Sequence, residues 1–278
     1  MIKISNLHFR YNKRQAPVIS GIDLEILPGN IYGLLGENGV GKTTLLRLMC
    51  GLLFPNSGTC TVFGMESRKR FPDMLEKIYY LPEVLSIPTM NIIDYGKTYG
   101  KLYPNFNTEQ FLYYLEKFNI DLKKKMKNLS HGQQKKSLIA FSLACNTPLL
   151  FLDEPTNGLD IPSKSIFRQL LAESINDSRS IVISTHQVLD LENLIDPIII
   201  LEFNQILLNN TVAEISEKLK FTLQEQAPPS ALYSEQTLGG FLSVEPNNDN
   251  SNTKINIELL FNAAISNKDF FKQTFIKE

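Results

Sequence analysis

The chain has 278 residues, and 43% of them are hydrophobic, so it is long enough to bury a substantial core. Its 28 lysines and arginines nearly balance its 29 aspartates and glutamates, which leaves a formal net charge of −1. No overall positive field would attract it to nucleic acid or to anionic lipid, and we expect no nucleic-acid partner.

The remaining compositional features favour a reducing cytosol. Cys50, Cys60 and Cys145 have neither the number nor the spacing of a disulfide framework or a zinc site. The first residues lack the apolar run of a signal peptide, and no run approaches the ~18 apolar residues that span a bilayer. We therefore expect that any attachment to a membrane needs a partner protein.

The first strong element in chain order is a strand that leads into a glycine-rich loop. The apolar run at residues 31–35 predicts a buried strand, and a helix with apolar positions follows from near Lys42. Between them the sequence matches G-x-x-x-x-G-K-[ST]. The matching residues are Gly36, Glu37, Asn38, Gly39, Val40, Gly41, Lys42 and Thr43.

This pattern predicts a loop that binds the phosphates of ATP. Glycines let the backbone N–H groups turn inward around phosphate oxygens, and the helix N-terminus adds the positive end of its dipole. Lys42 would bind the β- and γ-phosphates, and the Thr43 hydroxyl would ligate Mg²⁺. The alternative is an ordinary strand–helix turn, which the flanking strand and helix make a poorer interpretation.

A helical segment follows the loop and its helix. From Pro82 to about Leu129 the sequence mixes aromatic and charged residues at helical spacing. Phe111, Leu112, Leu115 and Phe118 illustrate this spacing. We predict an inserted helical subdomain, at about residues 84–145.

The end of this segment carries a second candidate phosphate contact. Leu129 is followed by Ser130, His131, Gly132 and Gln133 and then by a helical run through Cys145. Ser130 with Gln133 three residues later predicts a capping box. A serine hydroxyl and free N–H groups at a helix start can also hold a phosphate, so both interpretations stay open.

The next strand ends in two acidic residues. Residues 149–152 form an apolar run, and Asp153 and Glu154 follow it directly. Parallel sheets place ligands at the carboxyl ends of their strands, so Asp153 is expected beside the phosphate loop, where it suits Mg²⁺. Glu154 is placed to polarise an attacking water as a general base. The alternative is a strand that ends in exposed acids.

Two further apolar runs, 181–185 and 198–201, complete the prediction of an α/β protein with a largely parallel central sheet. The tail from about residue 219 gains turn material such as Pro228-Pro229 and Gly239-Gly240. We predict a core at residues 1–218 and a small α+β appendage at 219–278, with a helix at about 255–264. Because its composition suggests separate packing, the chain without residues 220–278 is expected to remain a folded ATPase.

Together, these residues resemble the ATP-binding-cassette (ABC) ATPase family over roughly residues 1–215. Residues 36–43 resemble the Walker A loop, 129–133 the family signature and 149–153 the Walker B strand. Glu154 resembles the catalytic glutamate, and residues 158–160, Gly-Leu-Asp, resemble the D-loop.

Two more positions extend the resemblance. His186, which follows the strand at 181–185, resembles the switch histidine, and Tyr11 resembles the aromatic residue that stacks on adenine. The resemblance implies a P-loop NTPase core with an N-terminal antiparallel β part. It also implies that Thr44 and Asp160 belong to the nucleotide site, and that Lys42, Glu154 and His186 take part in hydrolysis.

The resemblance further implies a dimer. Ser130, His131, Gly132 and Gln133 of one subunit would close on the ATP that the Walker A loop of the other subunit holds. The pair is either a homodimer or a heterodimer of ATP-binding subunits.

One position departs from the family pattern in a way that affects the site. Where the family usually has glutamine, this chain has Glu83, after a strand and Pro82. A carboxylate keeps an oxygen for Mg²⁺ but adds charge near the phosphates. We therefore count Glu83, with Thr43 and Asp153, among the expected metal ligands. His131 stands where the signature commonly has glycine, and we expect little loss from it.

The sequence favours a transport role. Ser130 follows Glu83 by 47 positions, a spacing that suits a compact helical subdomain and not long coiled-coil arms. The short cassette, the Gly-Leu-Asp D-loop and the modest tail resemble the drug, antibiotic or peptide exporter type (ABC-2-like). This resemblance implies a cytoplasmic ATPase subunit that is bound to the inner face of the membrane through a separate permease. The alternatives are a non-transport ABC ATPase, such as a ribosome-associated one, and a binding protein without catalysis.

Overall fold

In a computed structural model, which describes residues 1–276, the central feature is a sheet whose strands are buried on both faces. The strands are β1 (Ile2–Phe9), β2 (Ile19–Ile26), β3 (Ile31–Leu35), β4 (Ser57–Val62), β5 (Met65–Glu66), β6 (Ile78–Leu81), β7 (Leu149–Asp153), β8 (Ser180–Thr185), β9 (Ile198–Glu202), β10 (Gln205–Asn210), β11 (Leu219–Gln224), β12 (Tyr233–Thr237) and β13 (Gly240–Pro246). The helices are α1 (Lys42–Met49), α2 (Pro72–Leu75), α3 (Ile92–Tyr99), α4 (Thr108–Lys117), α5 (His131–Ala144), α6 (Ile161–Ser174), α7 (Val212–Lys218), α8 (Ile257–Ser266) and α9 (Lys268–Phe275).

The central sheet has the strand order β10-β9-β3-β8-β7-β6, and all its pairings are parallel except that of β10 with β9. Every residue of β3, β7, β8 and β9 is buried. Continuous apolar runs are what such doubly covered strands require. The predicted α/β fold with a largely parallel sheet is confirmed.

A second sheet, of order β2-β1-β4-β5, is antiparallel and contains the N-terminus. Its strands alternate in burial, so that Ile2 and Ile4 face the core while Lys3 between them is exposed. The buried face packs in one cluster with Leu45 and Leu48 of α1. This packing fixes the direction in which α1 leaves the glycine-rich loop.

The helical segment contains α3, α4 and α5 and is organised around Phe141, whose ring lies within 6.3 Å of five other aromatic rings. Phe111, Leu115 and Phe118 are buried as expected, but Leu112 is 40% exposed. Leu112 follows Phe111 directly and so lies about 100° further round α4, on the solvent side.

The tail forms an antiparallel sheet of order β11-β13-β12, with α8 and α9 beside it. It has two helices where one was expected at 255–264. Val244, Leu260 and Phe271 belong to the same buried cluster as the central sheet and the helical segment. The boundary at residue 219 stays a prediction. The tail was expected to pack separately, but its buried residues share one core with the central sheet.

No helix in the described 276 residues is long and apolar enough to cross a lipid bilayer.

Cys50, Cys60 and Cys145 are free thiols and are all buried. Burial raises the pKa of each thiol, to about 11 for Cys60. Buried protonated thiols behave as small apolar side chains.

Candidate nucleotide site

The glycine-rich loop between β3 and α1 has the backbone shape that the pattern predicts. Gly39 has a φ of 82° and Gly41 a φ of 114°, in the region that residues with a Cβ rarely adopt. Gly36 has a different constraint, because a Cβ on it would lie 2.6 Å from the carbonyl oxygen of Leu201 and 2.7 Å from the Val40 side chain. The loop is therefore packed against the end of β9 and turns at its two later glycines.

Lys42, the first residue of α1, is 6% exposed and reaches back over the loop. Its ammonium donates to the carbonyl oxygens of Gly36 at 2.7 Å and Glu37 at 3.1 Å, and lies 3.7 Å from Oε1 of Glu154. Burial lowers the pKa of Lys42, and the neighbouring carboxylates of Glu154 and Asp153 oppose that change. The cation is thus held at the loop and faces acidic groups.

Asp153 is the last residue of β7 and is 1% exposed. Both of its carboxylate oxygens accept hydrogen bonds from neighbouring side chains. Thr43 Oγ1 donates to it at 2.8 and 3.1 Å, Ser184 Oγ at 2.5 Å and Tyr80 OH at 3.0 Å. The parallel sheet brings these groups together, since Asp153 pairs with Ser184 in register and Tyr80 lies on β6 next to β7. The predicted meeting of Asp153 with Thr43 is what the structure shows.

Ser184 and Tyr80 are residues of this site that sequence reasoning missed. A polar residue one position before the end of the apolar strand β8 was the available signal for Ser184, because the neighbouring parallel strand β7 ends in an acid. Tyr80 offers a weaker signal, since a strand aromatic is ordinarily a packing residue.

Glu154 has a φ of 46°, an uncommon value for a residue with a side chain. Its backbone N–H donates to the carbonyl oxygen of Ser184 at 3.1 Å, and its Oε1 lies 2.9 Å from Nδ1 of His186. Its other oxygen, Oε2, is buried, and no hydrogen-bond partner for it exists among the residues described. Glu154 therefore combines an oriented oxygen with an acceptor that can receive a bond from a bound molecule.

A cavity of about 160 Å³ joins the loop to the acidic groups. It is lined by Asn38, Gly39, Gly41, Lys42, Thr43, Thr44, Glu83 and Glu154. Glu83 is exposed, and its Oε1 accepts a hydrogen bond from Nδ2 of Asn157 at 3.3 Å. The structure thus brings Glu83 to the edge of the same cavity as Thr43 and Lys42.

Tyr11 lies beside Thr44, the residue that directly follows the glycine-rich loop. Its hydroxyl lies 2.9 Å from Oγ1 of Thr44, its side chain is 54% exposed, and its ring meets Phe9 edge-on with centroids 4.9 Å apart. An exposed aromatic face beside the phosphate loop is the arrangement that stacking on a flat base requires.

The signature residues, 129–133, are not part of the cavity at the phosphate loop. Ser130 and Gln133 form the predicted capping box at the start of α5, with bonds of 3.3 Å and 3.1 Å to each other's backbone N–H groups. His131 is exposed, and Gly132 lies near the carbonyl of Gly158. Of the residues described, the signature contributes none to the lining of the loop cavity.

Asp160 caps α6, since its side chain accepts a bond from the N–H of Ser163 at 3.1 Å. Hydrogen bonding by Ser163 lowers the pKa of Asp160. Its position beside the signature, and not at the loop of its own chain, parallels that of Ser130 and Gln133.

The comparisons with known proteins agree with this geometry. The family model for ABC transporters matches residues 19–157, which is half of the chain. This chain belongs to the ABC transporter family. It is an ATP-binding protein of the ABC ATPase kind, and the predicted membership of that family is confirmed.

Among its relatives is an uncharacterized ABC transporter ATP-binding protein of Methanocaldococcus jannaschii, 31% identical over 227 residues, which are 79% of this chain and 81% of that protein. A zinc uptake ATP-binding protein of Bacillus subtilis is 31% identical over 73% of this chain and 91% of its own. The daunorubicin/doxorubicin resistance ATP-binding protein of Streptomyces peucetius is 26% identical over 93% of this chain and 80% of its own.

The fold is also that of solved ABC ATPases. A dimeric ATP-binding cassette bound to ADP and phosphate superimposes with a TM-score of 0.66 at 21% identity, over 76% of this chain and 99% of that one. At this identity the likeness shows the fold, and it confirms the predicted P-loop core.

Proposed function

We propose that this chain is the ATP-hydrolysing subunit of an ABC exporter, and that it works as a dimer bound to a separate membrane permease. The observation that carries the proposal is the meeting of Thr43 with Asp153, and of His186 with Glu154, at one end of the sheet beside the phosphate loop. Binding alone would need the loop. Hydrolysis needs the acid and histidine as well.

The proposed roles follow from the contacts. The Lys42 ammonium now donates to two backbone carbonyl oxygens. When ATP binds, the ammonium donates to oxygens of the β- and γ-phosphates instead. Glu154 accepts the proton of the attacking water at a carboxylate oxygen, and His186 keeps that carboxylate oriented through Oε1. Residues 36–44 and Tyr11 bind the phosphates and the base.

The site suits Mg²⁺ as well as ATP. Thr43 and Asp153 present hard oxygen ligands together, with Glu83 at the edge of the cavity. Residues 1–276 contain no group of three or more His, Cys, Asp or Glu that could hold a metal without other ligands. This composition fits Mg²⁺, which binds proteins through one or two carboxylates and completes its shell with phosphate and water. Bound there, it would neutralise charge on the phosphates.

The dimer is proposed because the signature residues do not line the cavity at the loop of their own chain, while Ser130 and His131 are exposed. ABC ATPases dimerise and pair with permeases, and the solved cassette that this fold resembles is a dimer. In the proposed arrangement Ser130, Gly132 and Gln133 of one copy close on the nucleotide of the other, with His131 and Asp160 alongside. Through the permease the chain would then lie at the cytoplasmic face of the membrane.

Export is supported by the extent of one match. The similarity to the daunorubicin/doxorubicin resistance protein runs over 93% of the chain and therefore includes part of the tail, whereas that to the zinc uptake protein runs over 73%. Because transporter relatives of both directions occur, direction needs a direct test.

The test is purification of the tagged chain from detergent-solubilised membranes, followed by transport assays in vesicles. We expect a polytopic membrane protein to co-purify and ATP hydrolysis to be lost in the Glu154→Gln variant. With doxorubicin as probe, export predicts ATP-dependent accumulation in inside-out vesicles. Recovery of the chain with no polytopic protein would contradict the transport role, and ATP-driven uptake into right-side-out vesicles would contradict export.

A further inference from the structure

Lys135 is a charged residue that the proposed mechanism leaves unused, and it is almost completely buried. It lies in α5, on the helix that Ser130 and Gln133 begin, and only 1% of it is exposed. Lysine is seldom buried to this degree unless its ammonium has partners. Its partners here are two backbone carbonyl groups.

The Lys135 ammonium donates to the carbonyl oxygen of Glu154 at 2.6 Å and to that of Asn157 at 3.0 Å. These two carbonyls stand at the two ends of the turn that joins β7 to the D-loop. On its other side, the same turn is held by Ser184, whose carbonyl and hydroxyl oxygens accept from the N–H of Glu154 at 3.1 and 3.2 Å. Lys135 thus completes a clamp on the peptide groups around Glu154.

The clamped turn is backbone that would not adopt this shape unaided. Glu154 has a φ of 46°, and Gly158, four residues on, has a φ of 77°. For a residue with a side chain, such a conformation is unfavourable and persists only when surrounding groups hold it. The direction of the Glu154 side chain depends on that backbone, because the Cβ vector is set by φ and ψ.

The charge of Lys135 is compensated at a distance and not by direct pairing. In the part of the chain that the structure describes, no carboxylate lies within 4.0 Å of its ammonium. Burial lowers the pKa of Lys135, and the charges of Glu83, Glu154 and Asp153 oppose this effect. The surrounding acids are thus the same ones that line the proposed site for ATP and Mg²⁺.

We propose that Lys135 is a positioning residue, which links the signature end of α5 to the carboxylate of Glu154 in the same chain. The inference rests on the proposed function, because it needs the signature to contact the nucleotide of a second copy. Lys135 follows Ser130 by five residues, about 7.5 Å along one helix, so a shift of the signature moves the Lys135 ammonium with it. ATP on the partner subunit would then adjust the general base of this subunit.

The test uses the full chain with three substitutions. Lys135→Met keeps the apolar stem of the side chain and removes the charge and both bonds, while Lys135→Gln keeps one amide donor. Lys136→Met removes the same charge from the neighbouring position of α5, where the ammonium contacts Ser163 Oγ at 3.2 Å and not the turn. For each variant we would measure kcat, the Hill coefficient for ATP, the Kd for ATP and the melting temperature.

We expect Lys135→Met to lower kcat by about 10- to 100-fold, because hydrogen bonds from a charged donor are lost. The Kd for ATP should be unchanged. The Hill coefficient should fall towards 1, Lys135→Gln should fall between Lys135→Met and the wild type in kcat, and Lys136→Met should match the wild type. If Lys135→Met does not fold, Lys135→Gln decides by the same criteria.

Two results would overturn the inference. One is a wild-type kcat and Hill coefficient in the Lys135 variants. The other is a lower kcat that is accompanied by proportionally weaker ATP binding and a lower melting temperature. That result would indicate a structural role only. Failure of the proposed function is a separate outcome, since the wild-type chain would then show no cooperative ATP hydrolysis for any variant to lose.

Discussion

Nδ1 of His186 lies 2.9 Å from Oε1 of Glu154, the same oxygen that faces the Lys42 ammonium at 3.7 Å. One carboxylate oxygen is thus oriented by two groups, while the other oxygen has no partner among the described residues. Three residues from three separate segments meet at this point because the parallel strands β3, β8 and β7 are neighbours in the sheet and end side by side.

His186→Ala should therefore remove one of the two groups that orient Glu154 and lower kcat, while ATP still binds to the loop. A loss of about 10- to 100-fold is expected for one orienting hydrogen bond to a charged group. Steady-state ATPase assays with an independent measurement of the Kd for ATP check this. His8→Gln is the control, since His8 contacts Asn6 on β1, away from the site. Unaltered kcat in His186→Ala would remove the orienting role.

Glu154→Gln keeps the shape of the side chain but cannot act as a general base. We expect ATP binding to persist and turnover to fall by about two to four orders of magnitude. ATP should then hold the dimer closed. Size-exclusion chromatography with ATP measures this, and a monomer with full ATPase activity would contradict both the base and the dimer.

Lys42→Ala removes the cation that the loop holds at its centre. Binding of ATP and hydrolysis should both weaken, because the phosphates lose a charge-assisted donor that is shielded from water. Isothermal titration calorimetry measures the affinity. Lys3→Ala, on the exposed side of β1, is the matched control. Equal affinities in Lys42→Ala and in the wild type would refute the assignment.

Glu83→Gln tests whether the acid at the edge of the cavity takes part in metal binding. If the Glu83 carboxylate faces the γ-phosphate, it repels metal-free ATP, and the repulsion is offset only with Mg²⁺. The variant should then bind metal-free ATP better and depend less steeply on Mg²⁺.

The structure supplies a competing role for Glu83, the hydrogen bond from Asn157. An amide oxygen can accept that bond as well, so glutamine separates the charge from the contact. Titrations of ATP with and without Mg²⁺ in the two proteins make the comparison. Identical metal dependence would take Glu83 out of the expected set of metal ligands.

The tail is expected to be needed for folding, contrary to what its composition suggests. Deleting residues 220–278 removes Val244, Leu260 and Phe271 from the buried cluster that includes the central sheet. Loss of a single buried Leu or Phe side chain costs about 2–5 kcal/mol, a large part of the usual stability of a domain. The truncated chain should aggregate or unfold at lower urea concentration, and a stable truncated ATPase would restore the independent appendage.

A point variant separates this effect from gross truncation. Glu202 ends β9 and is 3% exposed, and its Oε1 pairs with the Lys268 ammonium at 3.0 Å. Lys268→Met should destabilise the chain by about 1–3 kcal/mol, since it leaves a buried carboxylate without its charged donor. Lys272→Met on the same helix is the control in urea unfolding.

The sequence predicted the parts of the site that single segments encode. The loop at 36–43 and the acids that end β7 are local patterns, and the strand ends bring them together by a general rule of parallel sheets. The role of Tyr80 was out of reach, because it depends on which strand lies next to β7 in space. For the same reason the burial of Lys135 was not foreseen, since its partners are carbonyl groups that no pattern marks.

The tail shows what composition alone does not predict. Its turn-rich composition predicted a small α+β appendage, and the structure has the strands β11 to β13 and the helices α8 and α9 in this part of the chain. What composition does not encode is the neighbour against which a segment packs. Phe271 and Leu260 read equally well as the centre of a small separate core or as part of a larger shared one, and only tertiary structure distinguishes the two.

The burial of all three cysteines makes site-specific labelling practical in this chain. Protonated, covered thiols react slowly with maleimides, so a cysteine introduced at an exposed position would carry a spin or fluorescent label almost alone. Ile161, 83% exposed at the start of α6 beside Asp160, is such a position. Distances between labels on two copies would then report closure directly, with the native thiols left in place.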